Sequence, residues 1–448
     1  MKFEKRSRVP ASAKELFDWH GRKGAFTRLA PPWQTLEVLR EDPGLEVGKR
    51  VELNVSTPLG KKRWNAVHVE CEDGKGFTDT QEKGPFKSWR HEHRFVPVSE
   101  GESELRDVIE FELPFGGLGK SYVLKQLQRS FDYRHWITKR DLELGKLLPE
   151  SRPMRVAITG GSGFLGTQLR ALLGGLGHEV FVVTRRGRDE NDIVWNPYRG
   201  EIDRGAMEGM DAVIHLAGEN LSSGRWTEER KKRLWSSRVD STRFLVDVMG
   251  TLKSPPGVFL SGSGVGIYGN DPEAERTECS NPGDGFLAEL CKAWEKEAIR
   301  AESLDTRVCL LRTGVVIDPR GGALQKMLPA FRLGLGGPLG SGRQWFPWIS
   351  VEDWIGAVGW LLSDSRARGA VNLVAPEAMR QGEFARCLGR GVRRPAMLPA
   401  PALALKGALG EMADEALLSS CRVKPEILDS LGYSFVDPEL SGLLTRVL

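Results

Sequence analysis

The stretch Met154-Arg155-Val156-Ala157-Ile158-Thr159-Gly160-Gly161-Ser162-Gly163-Phe164-Leu165-Gly166 decides the fold of the larger part of the chain. Its first six residues are a short run of strand type, and the glycines follow at once. Behind them Leu169, Leu172 and Leu173 recur at helical spacing, and His178-Glu179-Val180-Phe181-Val182-Val183-Thr184 is a second run of strand type. Strand, glycine turn, helix and strand within about thirty residues make a βαβ unit, the setting in which G-x-x-G-x-x-G reads as a dinucleotide turn. Gly160 allows the tight turn, Gly163 lets backbone approach a pyrophosphate, and Gly166 lets the helix pack closely on the strand. The free N–H groups of the helix start, from Ser162 through Phe164 and Leu165, face the phosphates.

The second strand ends in Thr184-Arg185-Arg186, where an NAD-preferring site carries Asp or Glu for the ribose 2′-hydroxyl. Arginine there accommodates a 2′-phosphate, so the expected cofactor is NADP(H). Farther on, Asp211-Ala212-Val213-Ile214-His215-Leu216-Ala217-Gly218 reads as a buried parallel strand running into a small-residue turn. Leu216, Ala217 and Gly218 should pass under the cofactor's ribose and phosphates. Glu219 and Asn220, next in the chain, are candidate substrate contacts.

Outward from this unit, a length of 448 residues implies two or three domains, and 40% hydrophobic with 28% charged content suits packed cores. The net charge of +4 comes from no basic tail or stripe, so nucleic acid is not an expected partner. Six cysteines lie far apart with no C-x-x-C pair, which argues against disulfides and a cysteine zinc site and favours a reducing cytoplasm. No stretch approaches eighteen consecutive apolar residues, so no membrane span is expected. No metal is expected either, and oligomeric state is not legible.

Residues 1–150 read differently. They hold five of the seven histidines (His20, His68, His91, His93, His135) and alternating runs such as KRVELNV, RWNAVHVEC, HEHRFVPV and ELRDVIEFEL. Period-two alternation predicts half-buried antiparallel strands. Ala13 to Phe17, after Ser12, predicts a capped short helix, and Leu118 to about Leu148 predicts a long one. Ser151-Arg152-Pro153 then breaks the helix and serves as linker.

Helix, antiparallel sheet and long closing helix, with GFTDTQEKGPFKSWRHEHRF and DVIEFELPFGGLG, resemble the START-like helix-grip fold in its polyketide cyclase/dehydrase-like branch. The resemblance implies a cavity for an apolar ligand. TGGSGFLG (159–166) with VIHLAGEN (213–220) resembles the extended short-chain dehydrogenase/reductase superfamily, in its sugar-nucleotide epimerase-like branch. Arg225-Trp226-Thr227, Ser237-Arg238-Val239-Asp240-Ser241-Thr242, PWISVEDW (347–354) and the block from Leu409 to Pro425 resemble one subfamily of it, NADP-binding oxidoreductases with a small C-terminal domain of unknown function. That likeness implies cofactor contacts from Thr184, Arg185, Leu216, Ala217 and Arg238.

The expected architecture is therefore an α+β helix-grip domain (1–150) before a Rossmann-type α/β domain with doubly wound parallel sheet (154–375) and a small C-terminal domain (376–448). The superfamily normally uses Ser or Thr after the fifth strand, then Tyr and Lys four apart on the next helix. Ser263 stands at the end of Val258-Phe259-Leu260-Ser261-Gly262-Ser263. Aligned on Trp294-Glu295, the tyrosine position falls at Leu287 and the lysine position at Cys291; shifting by one gives Ala288 and Lys292, which still lacks the tyrosine. Leucine cannot carry a proton. Tyr268, Glu289 or a water held by Ser263 could do that work, the substrate could supply its own acid, or the domain could bind NADP(H) without turnover. Ser263 and Tyr268 are accordingly the candidate catalytic residues.

Thr306 to Ile317 reads as a further strand. After it, Leu333-Gly334-Leu335-Gly336-Gly337-Pro338-Leu339-Gly340-Ser341-Gly342-Arg343-Gln344-Trp345 suits a lid or binding loop, with Arg343 and Trp345 as candidate substrate contacts. Ser350 takes the place of a family histidine, and no histidine follows His215, which excludes Ser-His-Asp catalysis from the rest of the chain. The expected function is an NADP(H)-dependent oxidoreductase of the epimerase/dehydratase-like class acting on a carbonyl or hydroxyl substrate whose identity is not legible, with an apolar compound as a candidate. The alternatives are a nucleoside-diphosphate-sugar epimerase and a non-catalytic NADP-binding regulator.

Overall fold

Alternation in the first part becomes one antiparallel sheet. Its strands are β1 (Lys2–Val9), β2 (Leu36–Glu41), β3 (Arg50–Thr57), β4 (Gly60–Glu72), β5 (Gly76–Lys83), β6 (Ser88–Ser99) and β7 (Glu102–Glu112), in spatial order β1-β7-β6-β5-β4-β3-β2. The structure is a computed structural model that describes every residue except 35, 58, 59, 115, 150, 151 and 188. Of the linker, Ser151 therefore lies outside the described residues. The four quoted alternating runs fall in β3, β4, β6 and β7. In β6, Trp89, His91, His93 and Phe95 are buried while Arg94 and Val96 are exposed, the period that a half-buried strand requires.

Helix α1 (Ala13–Gly21) opens with a capping box: Glu15 N–H donates to Ser12 Oγ at 3.2 Å, and Ser12 N–H donates to the Glu15 carboxylate at 2.7 Å. After α2 (Ala25–Leu29), the long helix α3 runs over Lys120–Leu147, close to the expected span. Arg28 reaches from α2 to Asp141 of α3 through two hydrogen bonds of 2.9 and 2.7 Å, with both side chains buried.

The chain divides into two compact units, residues 1–151 with 171–178 and residues 152–170 with 179–448. The second unit begins as β8 (Arg155–Thr159), α4 (Phe164–Gly175, whose residues from 171 on are grouped with the first unit), β9 (Glu179–Thr184), β10 (Asp192–Asn196), β11 (Glu201–Ile202), α5 (Arg204–Met207) and β12 (Ala212–His215). It continues as α6 (Glu228–Trp235), α7 (Ser241–Met249), β13 (Val258–Gly264), β14 (Asp271–Arg276), α8 (Phe286–Ile299), β15 (Arg307–Thr313), β16 (Val315–Asp318) and α9 (Gly322–Arg332). It ends as β17 (Trp348–Ser350), α10 (Val351–Ser363), β18 (Gly369–Leu373), α11 (Gln381–Gly391), α12 (Ala402–Leu409), β19 (Cys421–Val423), α13 (Glu426–Ser430) and α14 (Leu440–Val447).

The main sheet has the order β11-β10-β9-β8-β12-β13-β15-β18, parallel except at its β11 edge. Strand order reverses between β8 and β12, and ligands of doubly wound sheets bind in the crevice at that switch.

Two expectations need correction. The strand read from Thr306 to Ile317 breaks at Gly314, where a Cβ would lie 2.6 Å from Pro347 O, and the chain leaves the main sheet to pair β16 with β17. The C-terminal block packs on its neighbours in the second unit: Phe384, Leu388, Leu440 and Leu444 share one core with Ile317, Leu328 and Trp348. The glycine-rich loop at 333–345 is tied down. Gly340 N–H donates to Ala400 O, Leu339 N–H to Gln381 Oε1 and Gln344 Nε2 to Leu339 O, and a Cβ at Gly337 would meet Leu398 O at 2.1 Å. Its glycines admit neighbouring backbone more than they confer motion. Among the described residues no helix is long and apolar enough to cross a membrane.

Candidate dinucleotide-binding and active site

The glycine turn between β8 and α4 is wedged against the end of β12. Gly160 has φ +69°, and a Cβ there would stand 2.8 Å from the Leu216 carbonyl. At Gly166 a Cβ would lie 2.3 Å from Gly160 O and 2.6 Å from Gly161 Cα, so only glycine lets α4 start this close to the turn. Gly163 N–H closes the turn on Gly160 O at 2.9 Å, and Ser162 and Gly163 are exposed. Phe164 and Leu165, half-buried, open α4, whose first-turn N–H groups have no intrahelical acceptors. These features fit a pyrophosphate.

A buried relay fixes the neighbouring loop. Leu216 and Ala217 N–H both donate to Thr159 Oγ1 at 3.1 Å, so that hydroxyl gives its proton to His215 Nδ1 at 2.6 Å. Burial, helped by the charge of Arg238, lowers the His215 pKa to about 3. The neutral ring then carries its proton on Nε2, toward Ser241 Oγ at 3.4 Å. Arg238 lies in the π-helical turn Ser236–Asp240 and is buried, which lowers its pKa to about 10. Its Nη2 donates to Glu219 O at 2.8 Å, and a Cβ on Gly218 would meet its guanidinium at 3.1 Å. Arg238 thus holds the Gly218–Glu219 backbone from below.

Arg185 is exposed just after β9, while Thr184 Oγ1 accepts Arg186 N–H at 3.4 Å. The structure brings together the glycine turn, which follows β8, and Leu216–Gly218, which follow β12, the strand that pairs with β8 at the sheet switch point; Arg185 follows β9, which pairs with β8 on its other side.

The two substrate candidates of this loop are already engaged. Glu219 pairs with Arg230, which also donates to Asn220 O, and Asn220 Oδ1 accepts Ser222 N–H at 2.9 Å. Lys326 of α9 donates to Ser222 O and Oγ at 3.0 and 2.7 Å. Sequence reasoning had given Arg230 and Lys326 no role. Arg343 lines a separate groove of about 760 Å³ with Asn270, Arg380 and Arg386. Next in the chain to Gln344 of that lining, Trp345 has the guanidinium groups of Arg380 and Arg422 at 3.6 and 5.0 Å from its ring centroid and donates Nε1–H to Pro272 O at 3.2 Å, so its ring is engaged by protein partners.

At the end of β13, Ser263 donates Oγ–H to Glu295 Oε1 at 2.6 Å. Glu295 in turn receives Arg312 Nε and Nη2 at 2.9 Å each, a buried bidentate pair. Burial alone would lower the Arg312 pKa, but the hydrogen bonds and charge of Glu295 outweigh it and raise it. Arg312 Nη1 also donates to Tyr268 Oη at 3.0 Å, and Tyr268 donates to Asn372 Oδ1 at 2.7 Å.

Tyr268 is 1% exposed, and burial pushes its pKa up to about 12 against the pull of Arg312. Tyr268 is thereby corrected from catalytic candidate to buried strut: its proton is committed and out of a ligand's reach. Glu289 is occupied by Lys292 on the helix exterior. Cys291, whose Sγ would lie 3.8 Å from a Cβ on Gly264, and Leu287, whose Cβ would lie 3.0 Å from one on Gly266, pack under the end of β13. Burial pushes the Cys291 thiol up to about 11, so it is no thiolate near neutrality. In the register aligned on Trp294-Glu295, the expected tyrosine and lysine positions thus present alkyl and thiol groups, and in the register shifted by one they present Ala288 and Lys292.

The family profile described as "NAD dependent epimerase/dehydratase family" matches residues 156–373, "Domain of unknown function (DUF1731)" matches 400–447, and "Polyketide cyclase / dehydrase and lipid transport" matches 9–133. An epimerase family protein of Mycobacterium bovis is 40% identical over 283 residues, 62% of this chain and 93% of its own length. The Homo sapiens epimerase family protein SDR39U1 is 36% identical over 301 residues, 66% of this chain and all of its own. The crystal structure of the human protein with NADPH superposes with TM-score 0.61 at 36% identity, covering 66% of this chain and 99% of that one. A nucleoside-diphosphate sugar epimerase from Corynebacterium glutamicum gives TM-score 0.80 at 29% identity, over 100% of this chain and 90% of its own.

Proposed function

Because this chain belongs to the epimerase family of NAD-dependent epimerase/dehydratase proteins, we propose that it binds NADP(H) and acts as an oxidoreductase on a carbonyl or hydroxyl substrate, with an apolar compound as the first class to test. The observation that carries the reading is the Gly160–Gly166 turn wedged under Leu216–Ala217, with Arg185 exposed at the end of β9. NADPH, when bound, supplies hydride. The Gly160–Gly166 turn and the start of α4 would hold its pyrophosphate, and Arg185 its 2′-phosphate. The NADPH of the human relative supports the same choice.

The proton is handled differently from the Tyr/Lys arrangement. Ser263 points its own proton at Glu295, so it offers lone pairs to a substrate hydroxyl or to a water. With Tyr268 and Glu289 committed elsewhere, that water or an acidic group of the substrate is the proton source in this reading. The N-terminal unit, matched to a family described by lipid transport, would hold an apolar ligand. Six free thiols support a reducing cytoplasm as the compartment.

Two other readings have specific support. The likeness to the Corynebacterium sugar epimerase favours epimerisation, although Leu287 and Cys291 stand where such enzymes carry tyrosine and lysine. The same two residues favour an NADP-binding regulator without turnover.

Calorimetry with NADPH and NADH, followed by a screen of carbonyl compounds and nucleoside-diphosphate sugars for nicotinamide absorbance change, separates the three. Saturable NADPH binding with turnover of a carbonyl compound is expected. Binding without turnover in any class would overturn the oxidoreductase reading. Replacing Arg185 by Asp should weaken NADPH by about 10- to 100-fold, the worth of a charge-assisted hydrogen bond, and NADH far less. Equal loss for both would mean that Arg185 does not read the phosphate.

A further inference from the structure

The inner face of the N-terminal sheet carries a polar cluster between two apolar cores. One core contains Leu16, Phe77 and Phe95, and the other Phe3, Trp89 and Phe131. Strand register assembles the cluster: Asp79 of β5 lies opposite His91 of β6, and His93 of β6 lies opposite Asp107 of β7. His91 and His93, two apart on one strand, share the buried face. His135 of α3 closes over them, its Nε2 2.7 Å from Asp107 Oδ2.

Asp79 Oδ2 lies 3.4 Å from His91 Nδ1 and 3.4 Å from His93 Nε2. The three ligand atoms lie within 4.8 Å of one another. Those separations are long for hydrogen bonds. The two separations of 3.4 Å from Asp79 Oδ2 agree with tetrahedral coordination, in which ligands about 2.0–2.1 Å from a zinc ion stand about 3.3–3.4 Å apart.

The other nitrogens of both imidazoles meet Asp107. His91 Nε2 is hydrogen-bonded to Asp107 Oδ1 at 2.9 Å, and His93 Nδ1 lies 2.8 Å from the same oxygen, off the line of a good hydrogen bond. A carboxylate behind the distal ring nitrogen is what fixes the tautomer of a metal-binding histidine. Arg134 of α3, half-buried, is close enough for its charge to interact favourably with both carboxylates. The Asp79 side chain keeps 15% of its surface exposed, an opening by which an ion can enter.

We propose that Asp79, His91 and His93 bind one zinc-class divalent ion, with Asp107 orienting both imidazoles and the fourth coordination position left to water or a ligand. Two nitrogens and one oxygen are the donor set of an open zinc site. The nucleotide-binding unit supplies no ligand, so the inference stands apart from the oxidoreductase reading.

The test uses the full chain, stripped with chelator and titrated with zinc chloride by calorimetry. One ion per chain is expected, and cobalt(II) in its place should give the intense visible bands of four-coordination. Asp79→Asn and His93→Ala should each lower affinity at least about 100-fold, and Asp107→Asn about 10- to 100-fold. Each variant is scored once its circular dichroism matches the parent; if none folds, parent stoichiometry and the cobalt spectrum decide. No saturable uptake by the parent chain, uptake unchanged in Asp79→Asn and His93→Ala, or a weak six-coordinate cobalt spectrum would overturn the proposal.

Discussion

A single methyl group at Gly166 should cost the chain its dinucleotide. In Gly166→Ala the new Cβ would lie 2.3 Å from Gly160 O, so turn and helix must part by roughly 1 Å to reach an ordinary contact. A displacement of that size at a positioned site is worth about 100-fold, and NADPH affinity should fall by at least that factor. Far-UV circular dichroism should stay unchanged, since the sheet does not depend on the turn's exact height. Gly442→Ala is the matched control: this α14 glycine has nothing within 4 Å of the added atom, so the variant should bind normally and gain up to about 1 kcal/mol from helix propensity. Parent-like affinity in Gly166→Ala, measured by calorimetry, would show that the turn is not the cradle.

The second large effect concerns stability. Glu295→Leu leaves the buried Arg312 guanidinium without its carboxylate and Ser263 without its acceptor. Removing one partner of a buried pair costs about 3–5 kcal/mol, because the other charge stays desolvated and uncompensated. Urea unfolding of the second unit should show that loss, and Glu295→Leu combined with Arg312→Leu should recover part of it. A loss below about 1 kcal/mol in the single variant would mean that water or another anion already serves Arg312. The same comparison bears on chemistry, since Ser263 freed from Glu295 could donate its proton outward.

How much of this was legible depended on whether the residues concerned are close in sequence. The glycine turn is local, so Gly160, Gly163 and Gly166 could be assigned roles before any contact was known. Alternation in HEHRFVPV put His91, His93 and Phe95 on one face, and that signal was present in the chain. Their partners were hidden: Asp79 and Asp107 become neighbours only through the register of β5 and β7, which no single strand encodes.

Glu295 shows the same limit. It marked the end of a helix pattern, while its bonds run to Ser263 and Arg312, 32 and 17 residues away on other strands. Tyr268 was offered as an acid because the helix lacks a tyrosine; what occupies its hydroxyl is Asn372, 104 residues farther along, which no local pattern announces. The glycine-rich loop misled for a related reason: glycine serves motion and close packing equally well, and only the neighbours distinguish them.

The carboxylate of Glu415 accepts the N–H groups of Phe286 and Leu287 at 3.0 and 2.9 Å, which ends the otherwise uncapped start of α8. The helix carrying Leu287, Cys291 and Glu295 is therefore closed by a residue of the C-terminal block. Opening that block exposes the first amides of α8 to solvent exchange, and anything that steadies the helix protects the block in return. If the two open together, a ligand that steadies α8 will also steady the C-terminal block, and hydrogen exchange at the Phe286 and Leu287 amides with and without NADPH is the measurement that shows it.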